Sequence, residues 1–177
     1  MMKKVLAREK QPQPLSAAKK VLVAYFSHSG NTRVIAARIQ ESIGSDIFEI
    51  ATADPYPNDY DEVVEQARKE LRGQHRPKLK TKVENMESYK MVFVGYPNWC
   101  STIPMPVATF LSEYDFSRKT IAPFCTNEGS GMGRSVADIK KLCPQSTILV
   151  GLEVRGGHIR DAQRQIFDWL RTLGMTR

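Results

Sequence analysis

The chain alternates between short, almost wholly apolar runs and longer stretches in which apolar residues recur every three or four positions. The apolar runs predict strands that are buried on both faces, as in a parallel sheet. The recurring positions predict amphipathic helices. Strands are predicted at 20–26, 46–51, 91–96, 120–125 and 147–154. Helices are predicted at 34–43, 60–71, from about 104 onward, at 135–142 and at 162–173.

Strand and helix therefore alternate five times from residue 20 onward, with no internal repeat and no linker. This order predicts an α/β fold with a doubly wound, five-stranded parallel sheet and helices on both faces. Pro123 is unexpected in a central strand, and the stretch 73–85 is a long irregular loop. Ligands of such sheets bind beyond the carboxyl ends of the strands. We therefore expect the polar loops after the first, third and fourth strands to form the binding site.

Composition places the chain among soluble globular proteins of one domain, with 177 residues and 41% apolar content. No apolar run approaches the roughly 18 residues that a membrane-spanning helix needs. Residues 1–19 are basic and polar and lack the apolar stretch of a secretory signal, so we expect a disordered leader before a domain at 20–177. Three cysteines without paired spacing fit a reducing cytoplasm, and no metal-ligand pattern is present.

The net charge of +7 raises the question of a nucleic-acid partner. Much of the excess lies in the leader and in the segment 72–82. No aromatic RNA-binding motif or recognition helix accompanies these cations. We therefore interpret them as a solvated basic face and expect neither nucleic acid nor a membrane as partner.

The loop after the first strand, Ser27-His-Ser-Gly-Asn-Thr32, has the ingredients of a phosphate cradle. It leads into a helix, whose first N–H groups and dipole favour an anion. The hydroxyls of Ser27, Ser29 and Thr32 add donors, and Gly30 permits a close approach of the backbone. A Walker-type lysine is absent, so the loop suits a monophosphate held by neutral donors. The residues alone leave open whether the loop binds phosphate or is an ordinary capped turn.

This loop, in the form [ST]-x-[ST]-G-N-T, resembles the FMN-phosphate loop of flavodoxins. The segments 54–60, 76–79, 94–99 and 123–131 resemble a branch of small bacterial flavodoxin-like proteins. In that branch the third strand typically ends in G-Y-P-x-W and the fourth in P-F-x-T-x-x-G-S-G. The resemblance runs from about residue 20 to the C-terminus, with no long insertion in the last strand. It implies the strand order 2-1-3-4-5 and one non-covalently bound FMN that serves electron transfer.

The resemblance also implies which residues bind the cofactor, while flavin N5 performs the chemistry and no side chain is catalytic. The phosphate is expected at Ser27, His28, Ser29, Gly30, Asn31 and Thr32. The isoalloxazine ring is expected against Pro97, Asn98 and Trp99, with Trp99 as the stacking ring and Cys100 beside it. The polar edge of the flavin is expected at Thr126, Asn127, Glu128, Gly129, Ser130 and Gly131.

The chain departs from the branch at Cys100 and Ser101, where a second aromatic residue and a glycine are more frequent. We interpret Cys100 as a small packing residue rather than a redox participant. The carboxylate of Glu128 would lower the flavin potential if it lay close to the ring. Tyr60 and Tyr56 either close over the ring or pack the loop.

His158 follows the last strand, and we interpret it as a polar turn residue rather than a contact to a substrate. The glycines at 129–133 do not form a dinucleotide fingerprint, because the third position falls on Arg134 and the run follows the fourth strand.

Two functions remain. The chain is either an NAD(P)H-dependent flavin or quinone reductase with a small-molecule electron acceptor, or a one-electron carrier with a redox partner protein. Carrier flavodoxins are usually acidic, because they dock on basic faces. The net charge of +7 therefore favours the reductase, although no nicotinamide-binding motif is visible.

The first loop makes a mutational prediction. Ser27→Asp introduces a carboxylate into the phosphate cradle, where it repels the phosphate and lowers FMN affinity by more than about 1 kcal/mol. Quenching of flavin fluorescence during titration measures the affinity. An unchanged affinity would show that this loop does not hold the phosphate.

Overall fold

A computed structural model describes residues 20–176, and the predicted leader at 1–19 lies outside the described residues. The strands are β1 (Lys20–Tyr25), β2 (Asp46–Glu49), β3 (Tyr89–Pro97), β4 (Thr120–Asn127), β5 (Thr147–Ile148) and β6 (Leu152–Arg155). The helices are α1 (Asn31–Ile43), α2 (Tyr60–Arg72), α3 (Met105–Glu113), α4 (Ser135–Leu142) and α5 (Gln163–Thr172). Two 3₁₀ helices, Met86–Ser88 and Gly156–Asp161, have no counterpart in the sequence prediction.

The strands form a parallel sheet in the order β2-β1-β3-β4-β5, and β6 also pairs with β4. The predicted doubly wound fold and its strand order are confirmed. Neighbouring residues of β3 point into different cores: Phe93 packs with α1 and α5, whereas Val94 packs with α3 and α4. Burial on both faces explains why the strand sequences are continuously apolar.

The last strand is broken, although the sequence predicts one strand at 147–154. β5 pairs with β4 before the break and β6 pairs with β4 after it. The N–H of Leu149 donates to the carbonyl of Ile121 at 2.9 Å. Ile121 and every second residue after it in β4 therefore turn their backbone N–H and C=O groups toward β5. Pro123, the next residue on that side, has no N–H to donate. Within the break, the carbonyl of Val150 accepts a hydrogen bond from the indole Nε1–H of Trp169 at 2.9 Å. The break therefore lies opposite Pro123, which explains how a central strand contains a proline.

Two of the three cysteines in the described residues are buried. Burial, with a smaller contribution from Glu153, raises the pKa of Cys125 to about 12, and burial raises the pKa of Cys143 to about 11. Cys100 is partly exposed and also has a free thiol. Residues 20–176 contain no cluster of three or more potential metal ligands. Within the same residues no helix is long and apolar enough to cross a bilayer.

The pairing of β3 with β4 depends on one glycine. Gly95 lies opposite Phe124 in the register, and a Cβ at position 95 would come within 2.1 Å of the Phe124 ring. The phenyl ring fills this space and is fully buried. No side chain larger than a hydrogen atom fits there.

Gly95→Ala is therefore expected to lower the free energy of unfolding by about 3 kcal/mol, because the buried ring has no room to move. Urea denaturation measures the loss. Gly157→Ala is the matched control, since a Cβ at position 157 would meet no atom within 4 Å. The control is expected to change stability by less than about 1 kcal/mol. Equal effects of the two substitutions would contradict the packing argument.

Candidate functional site

The loops after β1, β3 and β4 emerge side by side at the carboxyl edge of the sheet. Beyond the strand ends, the N–H of Phe26 donates to Gly95 O at 2.9 Å, and the N–H of Asn98 donates to Thr126 O at 2.8 Å. The buried hydroxyls of Thr32 and Thr126 share a hydrogen bond of 2.8 Å. These contacts extend the sheet pairing into the loops and hold all three loops together.

The first loop presents backbone donors at the start of α1. Gly30 has a φ of 100° and precedes the helix without a side-chain cap. The N–H of Arg33 donates to Ser27 Oγ at 3.3 Å, whereas the N–H groups of Asn31 and Thr32 have no acceptor among residues 20–176. Unpaired N–H groups at a helix N-terminus are an anion site. This geometry suits the phosphate cradle that the sequence predicts.

A cavity of about 530 Å³ opens between the three loops and α2. Eleven of the sixteen predicted cofactor residues line it: His28, Ser29, Asn31, Pro97, Asn98, Trp99, Cys100, Thr126, Asn127, Glu128 and Ser130. The other five shape the loops around the cavity: Ser27, Gly30, Thr32, Gly129 and Gly131. The volume lies in the range of small-molecule and cofactor sites. Most of the residues that the sequence predicts to bind the cofactor therefore lie around one cavity. Their contact with a flavin stays a prediction.

The third loop is held by hydrogen bonds at two glycines with positive φ. The N–H of Gly129 donates to Asn127 Oδ1 at 2.7 Å, and Gly131 O accepts from Asn98 Nδ2 at 2.8 Å. Gly129 has a φ of 118° and Gly131 a φ of 66°, which lie in the region that favours glycine. The loop thus keeps one shape against the end of β3.

Asn98 leaves one buried acceptor without a partner. Its Nδ2 donates to Ser130 Oγ at 3.0 Å as well as to Gly131 O, whereas Oδ1 is buried and has no hydrogen-bond donor among residues 20–176. Buried acceptors are nearly always paired. An N–H group at the polar edge of a ligand would satisfy this oxygen.

Trp99 lies at the centre of an aromatic cluster beside the cavity. Its ring makes edge contacts with Phe26 at 5.2 Å, Tyr56 at 5.0 Å and His28 at 5.9 Å between centroids. Tyr56 donates its hydroxyl to the buried carboxylate of Glu70 at 2.6 Å, so it packs the loop behind Trp99. Trp99 itself is half-buried and lines the cavity, unlike a core tryptophan.

Two further predictions concern polar residues near the site. Glu128 is exposed and lines the cavity. Its side chain packs over Gly156, because a Cβ at position 156 would lie 2.0 Å from Glu128 Oε1. Its effect on a flavin potential stays a prediction. His158 lies exposed on the second 3₁₀ helix and does not line the cavity. This position agrees with its interpretation as a turn residue.

The wall formed by α2 was not predicted, except for the question about Tyr60. The additional lining residues are Asn58, Tyr60, Val63, Val64, Ala67 and Arg68. The sequence does contain a signal for this wall. The lining residues of α2 are spaced four apart, at 60, 64 and 68 and at 63 and 67, so they lie on one side of the helix. Among the described residues that line the cavity, Arg68 supplies the positive charge and Glu128 the negative charge.

The turn after β3 has an unusual backbone. Trp99 and Thr102 exchange two backbone hydrogen bonds of 3.1 Å, and the residues between them have positive φ values of 53° at Cys100 and 63° at Ser101. Two successive left-handed residues are usually Asn, Asp or Gly. An L-residue in this conformation is strained by about 1–2 kcal/mol.

Ser101→Gly is expected to raise the free energy of unfolding by about 0.5–1 kcal/mol, because glycine adopts a positive φ without strain. Chemical denaturation of the cofactor-free chain measures the gain. Ser101→Ala is the matched control, because alanine retains the Cβ and therefore the strain. A gain in the alanine variant as large as in the glycine variant would contradict this explanation.

A parallel sheet of this strand order, with its cavity beyond the ends of β1, β3 and β4, defines a flavodoxin-like α/β protein. The family model described as flavodoxin matches residues 20–173. The chain therefore belongs to the flavodoxin family.

Solved structures agree with this assignment. A candidate flavoprotein from Bacteroides eggerthii DSM 20697 is 32% identical, with a TM-score of 0.78 over 89% of this chain and 99% of that one. A second, from Bacteroides uniformis ATCC 8492, is 25% identical, with a TM-score of 0.77 over 86% and 98%. A flavoprotein from Lactobacillus acidophilus NCFM, solved in complex with FMN, is 22% identical and shares the fold, with a TM-score of 0.67 over 83% and 99%. No curated protein matches the sequence.

Proposed function

We propose that this chain binds one FMN non-covalently in the cavity and acts as an NAD(P)H-dependent flavin or quinone reductase. The observation that carries the proposal is the arrangement of unpaired N–H groups at α1, the half-buried Trp99 and the unpaired Asn98 Oδ1 around one cavity. Each feature suits a different part of one flavin mononucleotide. The FMN complex of the Lactobacillus acidophilus protein, which shares the fold, supports the choice of cofactor.

The phosphate would bind at the start of α1. The N–H groups of Asn31 and Thr32 are free to donate to it, and the exposed hydroxyl of Ser29 adds a donor. The guanidinium of Arg33 pairs with Glu49, so it does not belong to the cradle. The charge of the phosphate is thus balanced by backbone dipoles rather than by a cation.

The flavin ring would bind between Trp99 and the α2 wall of Tyr60 and Val64. The aromatic cluster behind Trp99 holds the indole in place. Apolar side chains of Trp99 and Val64 would then lie on either side of the flavin ring. Asn98 Oδ1 would accept a hydrogen bond from the polar edge of the ring.

Bound FMN would supply the redox chemistry, which is the transfer of two electrons and two protons from a reduced nicotinamide and water to a quinone. The chain's contribution is to bind and orient the reactants. Arg68, at the rim of the cavity, favours an anionic donor such as a nicotinamide dinucleotide. A carrier that works with a partner protein is the alternative outcome of the experiment below.

The first experiment titrates the purified chain with FMN and records the quenching of flavin fluorescence. Trp99→Ala is expected to weaken FMN binding by about 1 kcal/mol or more, because the ring loses its aromatic neighbour. Phe167→Ala is the matched control, since Phe167 is a partly exposed aromatic residue on α5 and does not line the cavity. Failure of the unmodified chain to bind FMN would refute the proposal.

The second experiment adds NADH or NADPH to the FMN-loaded chain and follows flavin absorbance in the presence of a quinone. Bleaching by nicotinamide and recovery with quinone are expected of a reductase. Bound flavin that responds to neither nucleotide would instead favour the one-electron carrier.

A further inference from the structure

A second cavity, of about 340 Å³, lies between the C-terminal end of α2, α3 and α4. Its floor is apolar, and its rim is polar and mainly basic. The apolar lining residues are Leu71, Ile103, Met105, Ala108 and Leu142. The polar lining residues are Gln74, Arg76, Thr102, Arg134, Asp138 and Lys141. An apolar floor with a few converging charges is typical of a site for a small organic ligand.

The second cavity is separated from the first by a single tight turn. Cys100 lines the first cavity and Thr102 lines the second, and their Cα atoms are at most about 7 Å apart because only two peptide units join them. Helix α2 connects the cavities in the same way, with Arg68 at the first and Leu71 at the second. The two cavities are therefore neighbours, and an extended molecule that passes over this turn would enter both.

The charges at the rim leave one cation free. Asp138 pairs with Arg134 at 3.1 Å and with Lys141 at 3.4 Å. Arg76 also lines the cavity and has no carboxylate within 4.0 Å among residues 20–176. Three cations therefore face one anion, and the rim carries a net positive charge.

The segment of chain that contributes Leu71, Gln74 and Arg76 to this cavity is itself basic. The segment 68–82, which we call the basic segment, contains seven lysines and arginines and one acid. All seven cations are exposed. The acid, Glu70, is buried and accepts hydrogen bonds from Tyr56 and Gln66. Unbalanced cations around a cleft raise the local concentration of anions.

We propose that the second cavity binds the phosphate-bearing adenosine end of the nicotinamide dinucleotide whose reduced ring enters the first cavity. The inference rests on the proposed function, because the ring must reach a bound flavin. The apolar floor takes the adenosine, and Arg76 and Lys141 bind the phosphate. Arg76 is suited to this role because a free guanidinium binds phosphate with two parallel hydrogen bonds. The site requires no glycine-rich fingerprint, which agrees with the absence of that motif from the sequence.

The test uses 2′,5′-ADP, the phosphate-bearing half of NADPH, and isothermal titration calorimetry of the full chain with and without FMN. Arg76→Gln and Lys141→Gln are each expected to weaken its binding about tenfold, the effect of one lost charge-assisted hydrogen bond. Lys80→Gln is the matched control: it removes one cation from the basic segment but lines neither cavity. The Lys80→Gln variant is expected to bind 2′,5′-ADP with the same affinity as the unmodified chain.

Absence of 2′,5′-ADP binding would overturn the inference, and so would equal weakening by all three substitutions, which would indicate a general effect of charge. FMN titration of the same samples separates the two proposals. FMN binding without 2′,5′-ADP binding refutes only the second site, whereas 2′,5′-ADP binding without FMN binding refutes the proposed function. All three substitutions are at exposed residues, and thermal unfolding of each variant confirms that it is folded.

Discussion

The parallel pairing of β1, β3 and β4 is the constraint on which the rest of this structure depends. All three strands are buried on both faces, and their register places the loops that follow them at the same edge of the sheet. Backbone hydrogen bonds from Phe26 and Asn98 continue the pairing beyond the strands, and the hydroxyls of Thr32 and Thr126 join the outer loops. The pairing therefore positions the three loops that line the cavity, and α2 adds the remaining wall.

Five residues in the loops around this cavity adopt backbone conformations that most residues avoid. Gly30, Gly129 and Gly131 adopt positive φ values at no cost, whereas Cys100 and Ser101 do so with strain. In the first loop, this geometry leaves helix N–H groups free. In the turn after β3, it places Trp99 against the aromatic cluster and makes the wall between the two cavities. The turn after β3 thus borders both the proposed flavin site and the proposed site for the adenosine end of the nicotinamide dinucleotide.

The charges of the described residues are unevenly distributed. The lining of the first cavity has one cationic and one anionic side chain, whereas three cations and one anion line the second cavity. A neutral cradle suits a tightly held monophosphate, because backbone donors bind it without counterions. A basic rim suits a phosphate that must arrive and leave during turnover, because long-range attraction mainly accelerates association. The two proposed phosphate sites thus differ in chemistry.

The sequence by itself determined the alternation of strands and helices, the polar loops at the strand ends and eleven residues of one cavity. The elements and loops follow from local patterns, in which apolar periodicity defines an element and Gly, Ser and Asn define a turn. The eleven cavity residues follow from the resemblance of these loops to those of flavodoxins. Tertiary structure decided the break opposite Pro123, where the indole of Trp169 donates to the carbonyl of Val150, and the α2 wall around Arg68. It also decided the second cavity, where Arg76 and Lys141 come together. Such contacts join residues far apart in the chain, and no local periodicity specifies which helix face meets which loop.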